Sequence, residues 1–239
     1  MNDLRLMIRG FRFNNRHNHD EGVVMHSKSI DPPSKKKIKE PIPFTNGSYD
    51  FSTVGSSGEI TYNERQITIV LGLPSSTKEA LQDLYTRTLE WLMDVGKSQL
   101  IFDDVIGYYY MAEVESASTF DQVMSFGKLT VTFVAEPFKT STEYEGSDVW
   151  NTFNFEEDMV QDMSYTVTGT SVVSIYNKGR VTTPKINCSA PMSVVVSGKT
   201  YSLVTGDNTF YGMKLKNGVN EITVTGDGVI KFIFQAVRI

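Results

Sequence analysis

The chain has 239 residues, a formal net charge of −5, 40% hydrophobic residues and 21% charged residues. That length holds one large domain or two small ones, each able to bury its own core, and the acidic balance argues against a general nucleic-acid binder. Its one cysteine, Cys188, excludes an intrachain disulfide; set among alternating residues, it reads as a small buried hydrophobe in or near a strand.

The N-terminal stretch MNDLRLMIRGFRF places Asp3, Arg5 and Arg9 among short apolar runs. It therefore lacks the continuous apolar core expected of a signal peptide, and no window has the uncharged run that a membrane span needs. In RHNHDEG, His17, His19, Asp20 and Glu21 are of the types that ligate zinc. No paired cysteines or distant histidine partner complete a set, so an exposed polar turn is expected and no metal site. The segment Asp31 to Pro43 (DPPSKKKIKEPIP) is rich in proline and lysine. Proline removes ladder donors and like charges repel, which predicts an exposed loop, or an arm that orders on a neighbour.

Gln66 to Leu73 alternates, with Ile67, Ile69, Leu71 and Leu73 on one face of a strand. Pro74 ends it. Ser76 as N-cap, with Glu79 three residues later, predicts a helix from Ser76 to Val95, stopped by Gly96. Leu81, Leu84, Tyr85, Thr88, Leu92 and Val95 form its apolar face. A short strand, Leu100 to Phe102, leads into Asp103 and Asp104. Adjacent carboxylates on a strand point to opposite faces and cannot flank a cleft as a glycosidase pair, so turn chemistry is the better reading. Gly107 to Glu115 alternates again, with Tyr108 and Tyr110 on one face and Tyr109 on the other. Pattern alone does not separate a sugar platform from a subunit interface here. The strand carrying Leu129, Val131 and Phe133 is expected to end at Pro137.

From Phe138 to Asp148 the polar run reads as a linker or domain boundary. Beyond it, Glu156, Glu157 and Asp158 lack the spacing of a calcium loop. Short strands then follow closely, at Ser164 to Gly169, Val172 to Tyr176, Lys185 to Cys188, Met192 to Val196, Thr200 to Val204, Glu221 to Thr225 and Val229 to Ala236. Glycine and asparagine turns separate them, which argues for a β-sandwich. The fold class is thus mainly β: an N-terminal β-sandwich with one amphipathic helix and a hairpin, and a C-terminal β-sandwich. No nucleophile elbow, phosphate loop or dinucleotide fingerprint occurs; no catalytic set and no cofactor is expected, and a cell-wall hydrolase is disfavoured.

The order of several loose motifs resembles the phage distal tail protein (Dit) family, also called the siphovirus tail component family. They run from Ile42-Pro43 and Asn46-Gly47-Ser48-Tyr49-Asp50-Phe51-Ser52 through Tyr62-x-x-Arg65-x-Ile67. Leu89-Glu90-Trp91-Leu92, Lys97-Ser98 and Leu100-Ile101-Phe102-Asp103-Asp104 follow, then Gly107-Tyr108-Tyr109-Tyr110-x-Ala112 and Gly127-x-Leu129-x-Val131-x-Phe133 with Pro137-Phe138. In the second half, Asn177-x-Gly179, Pro184-x-Ile186, Leu215-x-Asn217-Gly218-x-Asn220-x-Ile222 and the last strand to Arg238 resemble the family's C-terminal domain. The Pro- and Lys-rich segment and the short C-terminal half depart from the family pattern.

The resemblance implies a non-enzymatic virion protein. A ring-forming domain at 1–139 would close a homo-hexamer around a channel that DNA crosses in transit. A galectin-like or carbohydrate-module-like sandwich at 140–239 would project outward. The implied partners are other copies of the chain, the tail-tube protein, a tail-tip or tail-associated lysin hub protein and a receptor-binding protein. No membrane is implied; the place is the virion tail tip, with host cytoplasm during assembly. Ring contacts are expected from the arm, at Lys35, Lys36 and Lys37, and from the hairpin, at Tyr108, Tyr109 and Tyr110, because exposed strand edges pair across subunits. The competing expectation is a carbohydrate-binding module for host attachment, with sugar contacts at Trp150, Tyr201 and Tyr211.

Overall fold

A computed structural model of the chain describes residues 10–44, 46–54, 59–117, 120–146 and 161–239. It divides into two compact units, Met1–Lys139 together with Ile239, and Thr140–Arg238.

In the first unit the strands are β1 (Phe11–Phe13), β2 (Arg16–His17), β3 (Val24–Ile30), β4 (Lys39–Pro41), β5 (Ser48–Asp50), β6 (Arg65–Pro74), β7 (Ser98–Phe102), β8 (Tyr108–Ala117), β9 (Asp121–Val123) and β10 (Phe126–Ser141). All but β4 and β5 join one sheet in the order β2-β1-β7-β8-β10-β6-β3, with β9 added beside β10. Period-two alternation drives every inward residue to one side. Phe11 and Phe13, Ile67 to Leu73, Leu100 and Phe102, and Leu129 to Ala135 on alternate positions all enter a single core. At the bulge between Met25 and Ser27 the His26 ring lies over Gly72, where a Cβ would stand 2.2 Å from its Nε2; only glycine leaves that space.

The helix α1 (Lys78–Met93) buries Leu81, Leu84, Thr88, Trp91 and Leu92 in the same core. Trp91 stacks on Phe11 at 5.6 Å between ring centroids, and its indole N–H donates to the Phe13 carbonyl at 3.1 Å. The helix begins later than the sequence predicts. Thr77, in extended backbone, is the N-cap, and its hydroxyl accepts from Ala80 N–H at 3.2 Å. It ends on Asp94, and Gly96 does not take up the left-handed conformation of a glycine stop.

Strand β10 also departs from expectation, running through Pro137 to Ser141. Its ladder with β6 closes at Ala135 opposite Arg65, so the donor that Pro137 lacks is not needed there. The predicted linker from Phe138 accordingly starts as strand.

The second unit packs two four-stranded antiparallel sheets. Its strands are β11 (Ser164–Val167), β12 (Thr170–Asn177), β13 (Lys185–Cys188), β14 (Met192–Val196), β15 (Lys199–Leu203), β16 (Gly206–Thr209), β17 (Gly218–Thr225), β18 (Gly228–Ile233) and β19 (Val237–Arg238). The sheet orders are β11-β18-β13-β16 and β12-β17-β14-β15. Val173, Ile175, Ile186, Val194, Ile222, Val224, Ile230 and Phe232 fill the space between them. The asparagine and glycine motifs stitch its turns. Buried Asn177 accepts from Gly179 N–H at 2.9 Å and donates to Arg180 O at 2.8 Å, while Asn220 bonds both the N–H and the carbonyl of Lys216 at 2.8 Å.

Candidate functional site

Asp103 and Asp104 occupy the turn between β7 and β8. Val105 N–H donates to Phe102 O at 3.0 Å, and Gly107 takes a φ of 77° to return the chain. Each carboxylate has its own partner. Asp103 lies 3.2 Å from Nε2 of His17 on β2, whose Nδ1 in turn accepts from His19 N–H at 3.2 Å. Nδ1 is therefore the acceptor, which leaves Nε2 facing the carboxylate. Gly10 underlies this pair, since a Cβ there would meet Asp103 Oδ2 at 2.4 Å. Asp104 is ion-paired with Lys28 of β3, whose ammonium sits 4.1 Å from the Phe102 ring centroid. The two acids are structural ties.

The tyrosines are divided by depth. Tyr110 belongs to the core, and Tyr109 is buried as well; Tyr108 is half-buried beneath the Lys139 ammonium, 4.9 Å from its ring centroid. Burial raises the Tyr110 phenol above its ordinary value, against the pull of Arg65, whose guanidinium lies 5.4 Å from the ring centroid. Arg65 is itself buried and donates its Nε to the Pro137 carbonyl at 3.0 Å. Of the hairpin positions expected at a subunit interface, Tyr109 and Tyr110 are thus occupied within the chain.

The Pro- and Lys-rich arm is ordered by its own chain rather than left as a loop. Lys36 N–H donates to Thr61 O at 2.9 Å and Asn63 N–H to Ser34 O at 2.8 Å, forming a base. Beyond it β4 and β5 pair as a two-stranded ribbon, Lys39 opposite Asp50 and Glu40 opposite Tyr49. Ser52 clamps the ribbon, its hydroxyl accepting from Ile38 N–H at 2.9 Å and its N–H donating to Asp50 at 2.9 Å. Hydrogen bonds to it from the Ser52 hydroxyl and N–H, then from Lys37 at 3.2 Å, hold the Asp50 carboxyl well below its ordinary range.

By strand alternation one ribbon face carries Ile38, Tyr49 and Phe51, the other Lys37, Lys39 and Asp50. The side chains of Lys35, Lys36 and Lys37 are exposed. So are those of Ile38, Phe44, Tyr49 and Phe51, with the Tyr49 and Phe51 rings 6.0 Å apart. Sequence reasoning missed this aromatic face, although Asn46-Gly47 between alternating segments is a hairpin signal.

In the second unit Tyr201 is half-buried, packed on the core with Phe210 at 5.2 Å, whereas Tyr211 is 86% exposed. Trp150, the third residue expected to contact sugar, lies outside the described residues, as do Glu156, Glu157 and Asp158. An exposed polar ladder crosses the other sheet, with Lys185 2.6 Å and Asn187 2.7 Å from Asp207.

Residues 24–135 match the model of the phage tail protein RIFT-related domain, the stretch that carries most of the first sheet, the ribbon and α1. Over that stretch the chain is similar to siphovirus-type phage tail proteins. No curated protein matches it. Among solved structures it is similar to the SPP1 Dit protein (gp 19.1), described as a paradigm of hub adsorption apparatus in Gram-positive infecting phages. That likeness has 14% identity and a TM-score of 0.67, over 97% of this chain and 100% of that one. A component of the phage P2 baseplate in its activated conformation aligns at 8% identity and a TM-score of 0.48, over 96% and 98% of the two chains. The likeness to SPP1 Dit, at 14% identity, concerns the fold alone.

Proposed function

We propose that this chain is a structural hub of a phage tail tip, in which identical copies close into a hexameric ring. The ring joins the tail tube above to tail-tip proteins below and leaves a channel for DNA. In this reading residues 1–139 form the ring and 140–239 project outward. The role is one of assembly, without catalysis.

The observation that carries it is the ribbon β4–β5. A two-stranded ribbon is marginal by itself in water, yet this one presents Ile38, Phe44, Tyr49 and Phe51 to solvent beside a run of lysines. Exposed apolar surface rimmed by polar groups marks a protein contact, and a contact between different surfaces of identical subunits gives a ring when its rotation closes. Multi-angle light scattering on the purified chain tests it. A species of six times the 26.8 kDa chain is expected; electron micrographs of intact tails whose distal end holds no ring of this protein would refute the reading.

A further inference from the structure

Two asparagines in the sequence are followed by glycine, Asn46 and Asn217. That pair has a chemistry of its own. Glycine carries no Cβ, so its backbone nitrogen can swing towards the carboxamide of the residue before it. Attack of that nitrogen on Cγ closes a five-membered imide and expels ammonia. In a folded chain the reaction runs only as fast as the local structure lets the two groups meet.

The fold sets the two pairs in opposite circumstances. Asn217 is exposed, but its carboxamide is tied: Nδ2 donates to Gly179 O at 2.8 Å. Gly218 is tied as well. It opens β17 in register with Asn177 on β12, and its carbonyl accepts from Asn220 Nδ2 at 3.0 Å. Attack there needs this turn to open first. Asn46 stands instead at the tip of the ribbon, past the last pair of its ladder, Pro41 opposite Ser48. Asn46 and Gly47 are both exposed, and Gly47, at a φ of 102°, has nothing within 4 Å of the place a Cβ would take. Phe44 in the same tip is fully exposed, so it does not pin the tip to the rest of the unit.

We propose that Asn46 is a site of spontaneous deamidation in the native protein and that the fold protects Asn217. The Gly47 nitrogen gives its proton to water or hydroxide and bonds to Cγ of Asn46. The Cγ–Nδ2 bond breaks, and Nδ2 leaves as ammonia. Water then opens the imide at one of its two carbonyls. The product is an aspartate, or an isoaspartate whose main chain runs through the former side chain. Water is the only co-reactant. Either product sets a new negative charge at the ribbon tip, and the isoaspartate also lengthens the backbone there. The element that presents Ile38, Tyr49 and Phe51 thus carries a route to an altered tip as the chain ages. The site stands whether or not copies of the chain form a ring.

Incubation of the full-length chain at mildly alkaline pH, sampled over days, tests it. Peptide mass spectrometry reads the gain of about one dalton that deamidation leaves on each asparagine. In the native chain Asn46 should react at least about tenfold faster than Asn217, which must wait for local opening. In denaturant the two rates should converge, because each pair then has the same freedom. Acidic species should build up on ion exchange of the wild type. They should build up far more slowly in Asn46→Gln, whose longer side chain would have to close a larger ring. Equal native rates at Asn46 and Asn217 overturn the proposal. So does a difference that persists undiminished in denaturant, which would mean that flanking sequence rather than fold makes the choice.

Discussion

Asp104, in the turn after β7, is ion-paired with Lys28 on β3, the last strand of a sheet in which β7 stands third. A flat sheet would keep these positions far apart. The pair therefore records how strongly the sheet curls around its core, as strand twist allows. The Lys28 ammonium lies over the Phe102 ring, and its side chain is 18% exposed, whereas that of Asp104 is 48% exposed. That inequality gives a directional prediction. Asp104→Asn strands a largely covered ammonium and should cost about 1–2 kcal/mol, between the values for exposed and buried pairs. Lys28→Met puts an unbranched apolar side chain beside Phe102 and leaves an acid that water can reach, so it should cost less. Urea denaturation of both single variants and the double variant measures the coupling; equal losses would contradict the burial asymmetry.

Asn18 is fully buried and pins the edge of the same sheet. Its Oδ1 accepts from Phe11 N–H at 2.8 Å and its Nδ2 donates to Val23 O at 2.8 Å. Asn18→Ala leaves both backbone groups without their partner, at about 1–3 kcal/mol each. Asn18→Asp keeps the shape but sets a carboxylate oxygen against the Val23 carbonyl. Both should lower the denaturation midpoint clearly, and the Asp variant should recover when acid protonates its carboxyl and restores a donor. A loss below about 0.5 kcal/mol for Asn18→Ala would show that water replaces the side chain.

Legibility in the sequence follows which force positions a segment. Ile67 to Leu73 and the second-unit strand Met192–Val196 were plain, because apolar alternation both writes and stabilises such strands. β16, GDNT, carries no such pattern. It is held by pairing with β13 and by buried Asn208, which bonds Val204 on both its N–H and carbonyl. The ribbon was hidden for a related reason: prolines and lysines mask a hairpin whose bonds run to Ser52 and to residues 61–63. The tyrosine run misled because alternation assigns faces but not what covers them. Tyr109 is buried on the side opposite the Tyr110 core side. The helix cap moved by one residue because Thr77, like Ser76, is a good cap, and backbone geometry chose between them.

The ribbon should hold its form in mild acid. The Asp50 carboxyl is depressed below its ordinary value of 3.8 by Ser52 and then Lys37. A depressed carboxyl contributes stability that is complete above its unfolded value and is lost only as pH falls through the folded one. Hydrogen exchange at Ile38 and Ser52, corrected for intrinsic rates, should therefore show unchanged opening from neutral pH to about 4.5, above the usual carboxylate range. Asp50→Asn should raise opening at neutral pH and flatten its response to acid. High salt should matter less, since it screens the exposed Lys37 pair more than the bonds from Ser52. Opening that begins near pH 6 would mean another group governs the ribbon.

The tyrosines separate stability from assembly. Tyr110→Ala removes a core side chain and the ring facing Arg65, and should cost about 3–5 kcal/mol by analogy with other aromatic truncations. Tyr108→Ala removes a half-buried ring and a cation contact with Lys139, and should cost about 1 kcal/mol. If Tyr108 also meets a neighbouring copy, its variant should weaken assembly in light scattering more than it lowers the urea midpoint. A Tyr108 variant with normal assembly would confine the hairpin's part in the proposed ring to its fold.

Cys188 offers a probe of the second unit that needs no new label. The thiol is buried on β13, donates to the Val204 carbonyl at 2.9 Å and receives Asn208 Nδ2 at 3.6 Å. Burial pushes its pKa up, partly offset by Asn208 and Gly206. Little thiolate therefore exists at neutral pH, and β16 with the turn before it must move before a reagent can enter. In the native chain an aromatic disulfide reagent should release almost nothing over minutes. In denaturant it should release one equivalent, because this is the only cysteine in the sequence. Asn208→Ala removes the clamp on Val204 and should speed the native reaction by at least about tenfold, through easier local opening rather than a changed thiol. The pH profile distinguishes the two causes. Easier opening raises the rate by the same factor across the profile, whereas a changed thiol pKa displaces its midpoint.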